Sequence, residues 1–394
     1  MENTYQNKST KAFTANLKVI LVHHRLVLYN FYVGYGVWVM KAKLHQMKGR
    51  FRKVMISISV VMPVYNVEIS MLQEAVNSIL SQTFRDFEFI IIDDASTDSI
   101  FRYLKQIKDE RIKLIRNSEH LGTTKSLNIG LKEAKGKYIA RMDGDDIAFP
   151  TRFEKQFNYM ERHPDVIICG ANIENFGDRS GKCIRKITDM ENYRILTVFY
   201  NPGPFHPTAF FNREQFHRYQ ITYDESLVCS QDYGLWVTTS RLGRMYILED
   251  VLLRYRRHDH QISNAQKEKQ FVCGKMIQRR LLQELLGNVT DEELDLHYRY
   301  SSGYFKDATL NDEILSWYRR LVAANDRVGV YDKKKFRFIV FNGMVRRIIY
   351  QSFEPDMGFT DKIGMFFRYL PFPSALRTTA GMSVRSIKKW LKRL

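Results

Sequence analysis

Three carboxylates crowd around one glycine in Tyr138-Ile139-Ala140-Arg141-Met142-Asp143-Gly144-Asp145-Asp146, directly after an apolar run. Carboxylates this close repel one another unless a cation sits among them, and hard oxygen ligands suit Mg²⁺ or Mn²⁺. A divalent metal holding a diphosphate is the first reading, and a solvated acidic turn is the plainer one. Three other groups bear on the choice. Pro63-Val64-Tyr65-Asn66 offers an aromatic face and amide groups where a nucleobase can stack. Asp93 and Asp94 can accept a hydrogen bond from a pyrimidine imide N–H or a ribose hydroxyl. Gln231-Asp232, ahead of the apolar Tyr233-Gly234-Leu235-Trp236, supplies a carboxylate able to take a proton from a hydroxyl. A grip on a nucleoside, compensation for a departing diphosphate and a base are what transfer from a nucleotide-diphosphate sugar requires.

The elements that must position these groups alternate from Ile56 onward. Ile56 to Met62 is a β-rich apolar run ended by Pro63, and Ile69, Leu72, Val76, Ile79 and Leu80 then recur at helical spacing. Phe87 to Ile92 is a buried-strand run that stops at Asp93-Asp94. This is a βαβ unit, expected to be right-handed with parallel strands. A helix over 99–108, a strand over 112–116, a helix over 123–134 and a strand over 138–142 continue the alternation. Both acidic clusters therefore fall at the carboxyl ends of parallel strands, the edge where open α/β sheets bind ligands. A helix opened by Pro150-Thr151 and a strand over 166–169 follow. A less regular stretch then runs from His206 to Tyr255. Beyond about 264 the pattern turns helical, over 271–286, 291–300, 312–324 and 333–350.

Composition excludes other classes. The formal charge of +18 suggests nucleic acid at first. Residues 1–53 carry +9 of it and residues 371–394 carry +6, which leaves the middle of the chain close to neutral. With no helix-turn-helix, zinc-finger or RNP-type signature, nucleic acid is not expected as a partner. Cys169, Cys183, Cys229 and Cys273 are widely spaced and read as buried or free thiols in a reducing compartment. The longest apolar stretch, Leu26 to Met40, is broken by Asn30, Gly34 and Gly36 and falls short of a membrane span.

From about Ile58 to Ser263 the chain resembles the family-2 inverting glycosyltransferases, which have the GT-A fold. The resemblance rests on ordered motifs: Pro63-Val64-Tyr65-Asn66, Ser81-Gln82-Thr83-Phe84, Asp93-Asp94-Ala95-Ser96-Thr97-Asp98, Leu121-Gly122 with Leu127-Asn128, and Ala140 to Asp146. Pro150 with Arg152, Gln156, His163-Pro164, His206-Pro207 and Gln231-Asp232 continue the order. It implies that Tyr65 packs on the nucleotide base and Asp94 binds it, that Asp143 holds ribose or phosphate, and that Asp145 ligates the metal. Asp232 takes the general-base position, and Lys125 lies where members place a basic residue towards the diphosphate. His258 sits where the family's closing loop approaches diphosphate or metal. His206 reads as an acceptor-side residue with Gln231, or as a satisfied structural histidine. Arg141 reads as the partner of a neighbouring carboxylate.

Two departures matter. The family commonly has Glu-Asp where this chain has Gln231-Asp232. The processive members carry Gln-x-x-Arg-Trp and transmembrane helices, absent here, so a single addition is expected. The implied donor is a UDP-sugar, the cofactor Mn²⁺ or Mg²⁺, and the acceptor a glycan or lipid-linked saccharide of a bacterial surface polysaccharide. Two rivals stand beside this reading: an aspartate-nucleophile phosphotransferase built on Asp93, and a non-catalytic nucleotide-sugar binding protein.

The expected organisation is a basic N-terminal extension (1–54), a GT-A domain (55–264) and a mostly helical C-terminal region (265–394). An over-extended reading frame upstream of Met55 would also produce the first segment. In Ser383 to Leu394, Val384, Ile387, Trp390, Leu391 and Leu394 form an apolar stripe flanked by Lys and Arg. Such a helix suits an anionic membrane surface, which places the protein in the cytoplasm, peripheral at the inner face of the cell membrane.

Overall fold

The computed structural model describes residues 56–258, 267–301 and 312–351. The N-terminal extension, the Leu26–Met40 stretch, the expected boundary at 264–265 and the 383–394 helix all lie outside the described residues.

The chain opens with strand β1 (Ile58–Val64), helix α1 (Ile69–Leu80) and strand β2 (Phe87–Asp93). Helix α2 (Asp98–Gln106), strand β3 (Ile112–Arg116), helix α3 (Thr123–Glu133) and strand β4 (Tyr138–Arg141) follow. β1 pairs in parallel with β2 and with β4, and β2 pairs in parallel with β3. β1, β2 and β4 read as near-continuous apolar runs because helices cover both faces. Ile58, Val60, Met62 and Val64 point into one core with Leu72, Val76 and Ile79 of α1. Val61, Ile90 and Ile92 point into the opposite core with Leu127 and Leu131 of α3. α3 lies so close on β1 that a Cβ at Gly130 would fall 2.2 Å from Val61 Cγ1. Leu72 is fully enclosed, so Leu72→Ala would cost about 2–5 kcal/mol.

The second half of the sheet comprises β5 (Ile147–Ala148), β6 (Val166–Gly177), β7 (Gly181–Cys183), β8 (Phe210–Asn212) and β9 (Arg244–Arg257). Among the described residues the strand order is β3-β2-β1-β4-β8-β6-β9-β5, with β7 on β6. β8 runs antiparallel between β4 and β6. It therefore begins where β4 ends, and the residues just before it reach the same sheet edge as the acidic cluster. The strand expected over 166–169 continues to Gly177, and the stretch expected to be irregular holds the 14-residue β9. The pairing of β6 with β9 shifts register at three places, which breaks the alternation that marks a strand in sequence.

Between the strands lie α4 (Arg152–Arg162), α5 (Met190–Thr197), α6 (Arg213–Arg218) and α7 (Gln231–Thr239). Four helices follow: α8 (Lys267–Leu286), α9 (Asp291–Ser301), α10 (Asp312–Val328) and α11 (Lys333–Gln351). They share an apolar core with the sheet region. Ile195, Val198 and Phe199 cluster with Leu282, Leu294, Trp317 and Phe336, and Leu227 and Tyr233 cluster with Ile277 and Leu281.

Candidate active site

The carboxyl ends of β1, β2 and β4 open onto a cleft of about 730 Å³. Pro63, Tyr65, Asn66, Asp94, Asp143, Asp145, His206, Gln231, Asp232 and His258 all line it. Asp93 and Lys125, also expected at the site, do not line it. Asp93 is fully buried, accepts from the Ser96 N–H at 3.0 Å and pairs with Arg116 at 3.4 Å, so it braces the turn after β2. The phosphotransferase reading asks this residue to be a nucleophile at the cleft, and it lies outside it. Lys125 is exposed on α3.

At the end expected to take the nucleoside, Asn66 adopts a left-handed backbone (φ 49°). Its side chain accepts from the Thr97 N–H at 3.0 Å, and its own N–H donates to Ser96 Oγ at 3.1 Å. Asn66 thus ties the loop after β1 to the loop after β2. The Asp94 carboxylate is almost enclosed. It accepts from Asn117 Nδ2 at 2.7 Å, from Leu121 N at 2.9 Å and from Gly122 N at 2.8 Å. The left-handed backbone of Gly122 (φ 88°) lets these successive amides converge on one carboxylate. His120 Nδ1 lies 2.9 Å from its Oδ2, and the His120 ring stacks on Tyr65 with centroids 3.7 Å apart. Burial pushes the Asp94 carboxyl up, but Asn117, the two backbone amides and the His120 charge outweigh it and hold it below the usual carboxylate range.

In the middle of the cleft, Asp143, Asp145 and Asp146 each bring a carboxylate oxygen within 4.8 Å of the other two. Arg141 grips both oxygens of Asp143, the ion pair read from the sequence. His258 Nε2 lies 3.1 Å from Asp145 Oδ2. Asp146 is fully buried and accepts from Arg256 N at 2.9 Å, while its Oδ2 is buried with no hydrogen-bond partner among the described residues. Burial, joined by the charges of Asp145 and Asp143, pushes the Asp146 carboxyl well above its ordinary value. Burial likewise raises Asp143, with Arg141 opposing and Asp145 reinforcing. An orphaned buried oxygen among carboxylates that resist sharing negative charge fits a divalent cation. Asp146, absent from the expected ligand set, belongs to this cluster; its position next to Asp145 was visible in the sequence, its burial was not.

A buried cation supports the floor below. Arg152 donates to Arg141 O at 2.7 Å and to Gln156 Oε1 at 3.1 Å, while Gln156 Nε2 donates to Thr208 O at 2.8 Å. Burial, with the nearby Arg141 charge, pushes Arg152 down to about 9. This network joins α4, the end of β4 and the turn before β8.

At the far end, Asp232 stands in the first turn of α7 behind Ser230, whose φ is 55°. Asn201 Nδ2 donates to Asp232 Oδ2 at 2.9 Å, and Asn201 Oδ1 accepts from Gly203 N at 3.1 Å. Arg185 also lines the cleft, with its guanidinium over Phe205 and a hydrogen bond to Gly203 O at 2.5 Å. His206 Nε2 meets Tyr223 Oη at 2.8 Å. Burial, reinforced by the Arg141 charge, drives its pKa well below the ordinary histidine value, so it is neutral. Sequence reasoning missed Asn201 and Arg185, because Asn201-Pro202-Gly203-Pro204 signals only a turn. It also missed Tyr200, Gln270 and Tyr298, which line this end too.

The profile described as Glycosyl transferase family 2 matches residues 59–230. An uncharacterized glycosyltransferase of Haemophilus influenzae is 33% identical over 245 residues, 59% of this chain and 75% of that protein. The uncharacterized glycosyltransferase MJ1057 of Methanocaldococcus jannaschii is 35% identical over 223 residues, 54% of this chain and 75% of its own. The putative glycosyltransferase EpsE of Bacillus subtilis is 41% identical over 138 residues, 34% of this chain and 49% of its own. Among solved structures, S. aureus TarS 1-349 in complex with UDP-GlcNAc aligns with a TM-score of 0.51 at 18% identity, covering 75% of this chain and 91% of that chain. That likeness is one of fold, the GT-A arrangement.

Proposed function

Because the chain belongs to glycosyl transferase family 2, we propose that it moves one sugar from a nucleotide-diphosphate donor, a UDP-sugar first, to a hydroxyl of a glycan or lipid-linked acceptor, with inversion. The observation that carries the reading is that one cleft is lined by Tyr65 and Asp94, by Asp143 and Asp145, and by Asp232. Tyr65 stacks on the base and Asp94 accepts its imide N–H. Asp232 takes the proton of the acceptor hydroxyl as that oxygen attacks the anomeric carbon, and the nucleoside diphosphate leaves from the opposite face. Inversion follows from this single displacement. Asp143, Asp145 and His258, with Asp146 beside them, would hold Mn²⁺ or Mg²⁺, which would supply charge compensation for the departing diphosphate. Asn201 holds the Asp232 carboxylate in place. The product is a bacterial surface polysaccharide, and the basic 383–394 segment brings the protein to the membrane where lipid-linked acceptors lie.

In support, S. aureus TarS 1-349, which shares the fold, was solved with UDP-GlcNAc. The test is to screen the purified protein with Mn²⁺ against a panel of nucleotide sugars by thermal shift and donor hydrolysis. One donor should stabilise the protein and be hydrolysed slowly, and the anomeric configuration of the product, read by NMR, should be opposite to that of the donor. Retention, or no response to any donor, would overturn the proposal.

A further inference from the structure

The cleft runs to Tyr65 and Asp94, and there the His120 imidazole lies against both. Its ring stacks on Tyr65 at 3.7 Å and 22° between planes, and its Nδ1 lies 2.9 Å from Asp94 Oδ2. The remaining contacts of Asp94 come from Asn117, Leu121 and Gly122, which fix the carboxylate's orientation. Tyr65 is 46% exposed and the His120 side chain 50%, so neither ring is locked by packing. His120 sits in the loop between β3 and α3, two residues before the left-handed Gly122.

We infer that His120 is a built-in stand-in for the nucleobase, which an incoming base must displace. The inference rests on the reading that the Tyr65–Asp94 end takes the base. A pyrimidine with an imide N–H makes two contacts there, a ring face on Tyr65 and an N–H donated to Asp94, and the imidazole makes the same two from within the chain. The base enters as His120 swings out. A site whose competent form is only partly populated binds its ligand more weakly by that fraction. A stacked aromatic pair with half-exposed rings makes this about a three- to tenfold effect.

The test is titration calorimetry with UDP and with GDP, each with Mn²⁺, on the full-length protein and on His120→Ala. The variant should bind UDP and GDP each about three- to tenfold more tightly, because the same competent fraction limits the binding of either base. Unchanged or weaker UDP binding by His120→Ala overturns the inference alone. If neither protein binds any nucleotide, the nucleotide-sugar reading falls and takes this inference with it. A second readout needs no affinity change. The His120 Cε1–H resonance, identified by its loss in the variant, should lie upfield in the Tyr65 ring current and move downfield as UDP saturates the site. A resonance that stays in place at saturation also overturns the inference.

Discussion

Asn201 and Asp232, 31 residues apart, meet side chain to side chain at 2.9 Å, with the amide nitrogen donating to the carboxylate. Asn201 is itself fixed by the Gly203 N–H, so the proposed base is held by a rigid turn. Asp232→Asn keeps the shape and removes the proton acceptor. Transfer should fall by about 10²–10⁴-fold with donor affinity nearly intact. Asn201→Ala leaves the carboxylate but frees it, so kcat should fall by about tenfold with donor KM unchanged. Steady-state kinetics on both variants checks this. A loss under about tenfold for Asp232→Asn would move the base elsewhere, with Asp224 and Glu225 the next candidates.

If the acidic cluster binds the proposed divalent metal, that metal should also stabilise the folded protein. Mn²⁺ should raise Tm and chelator should abolish transfer, restored by Mn²⁺ or Mg²⁺. Asp145→Ala should lose about 10²-fold or more in transfer and the Mn²⁺-dependent rise in Tm. Its metal-free Tm should stay level or increase, because one of three mutually repelling carboxylates is gone. Full activity in chelator would sink the metal reading.

His297 gives a pH prediction. It is fully buried, accepts from Trp317 Nε1 at 3.1 Å and donates to Val198 O at 2.9 Å. Burial, opposed by that backbone bond, pushes its pKa down to about 4. Between pH 4 and the ordinary histidine value of 6.5 the unfolded chain binds a proton that the folded chain refuses, so stability rises with pH across that window. It is lost as pH falls, by about 3 kcal/mol for this residue at the lower end. His206, also held neutral by burial, acts in the same direction. Urea midpoints at pH 7.5 and pH 5 measure the slope, and His297→Gln should flatten part of it.

The charged tail carries the last prediction. Removing residues 383–394 should release the protein from anionic vesicles and leave transfer to a soluble acceptor nearly unchanged. Raising the salt should weaken vesicle binding of the intact protein, since charge is screened over about 8 Å at physiological ionic strength. Vesicle co-sedimentation decides it, and equal binding by the shortened protein would place the contact elsewhere.

The arrangement of β1, β2 and β4 was legible because each is an apolar run ended by acids or Pro-x-Tyr-Asn, and parallel pairing brings such ends together. The insertion of β8 was not, because three residues of Phe-Phe-Asn carry no period. Asn201 and His120 escaped for a different reason. Each acts through a contact across the fold, Asn201 to Asp232 and His120 to Tyr65 and Asp94, and nothing in the local pattern of either segment encodes its partner. Asp93 shows the converse, since an acid at a strand end serves the turn as readily as a ligand.

The C-terminal helices hold the backbone beside the proposed base. His297 Nε2 donates to Val198 O, Gln278 Nε2 donates to Phe199 O at 2.8 Å, and Asn201 follows two residues later. The stretch matched by the family, residues 59–230, therefore does not contain the parts that set its own geometry. A chimaera that kept the sheet region and borrowed helices from a relative would seat Asn201 differently, so exchanging these helices between relatives means exchanging 190–201 together with them.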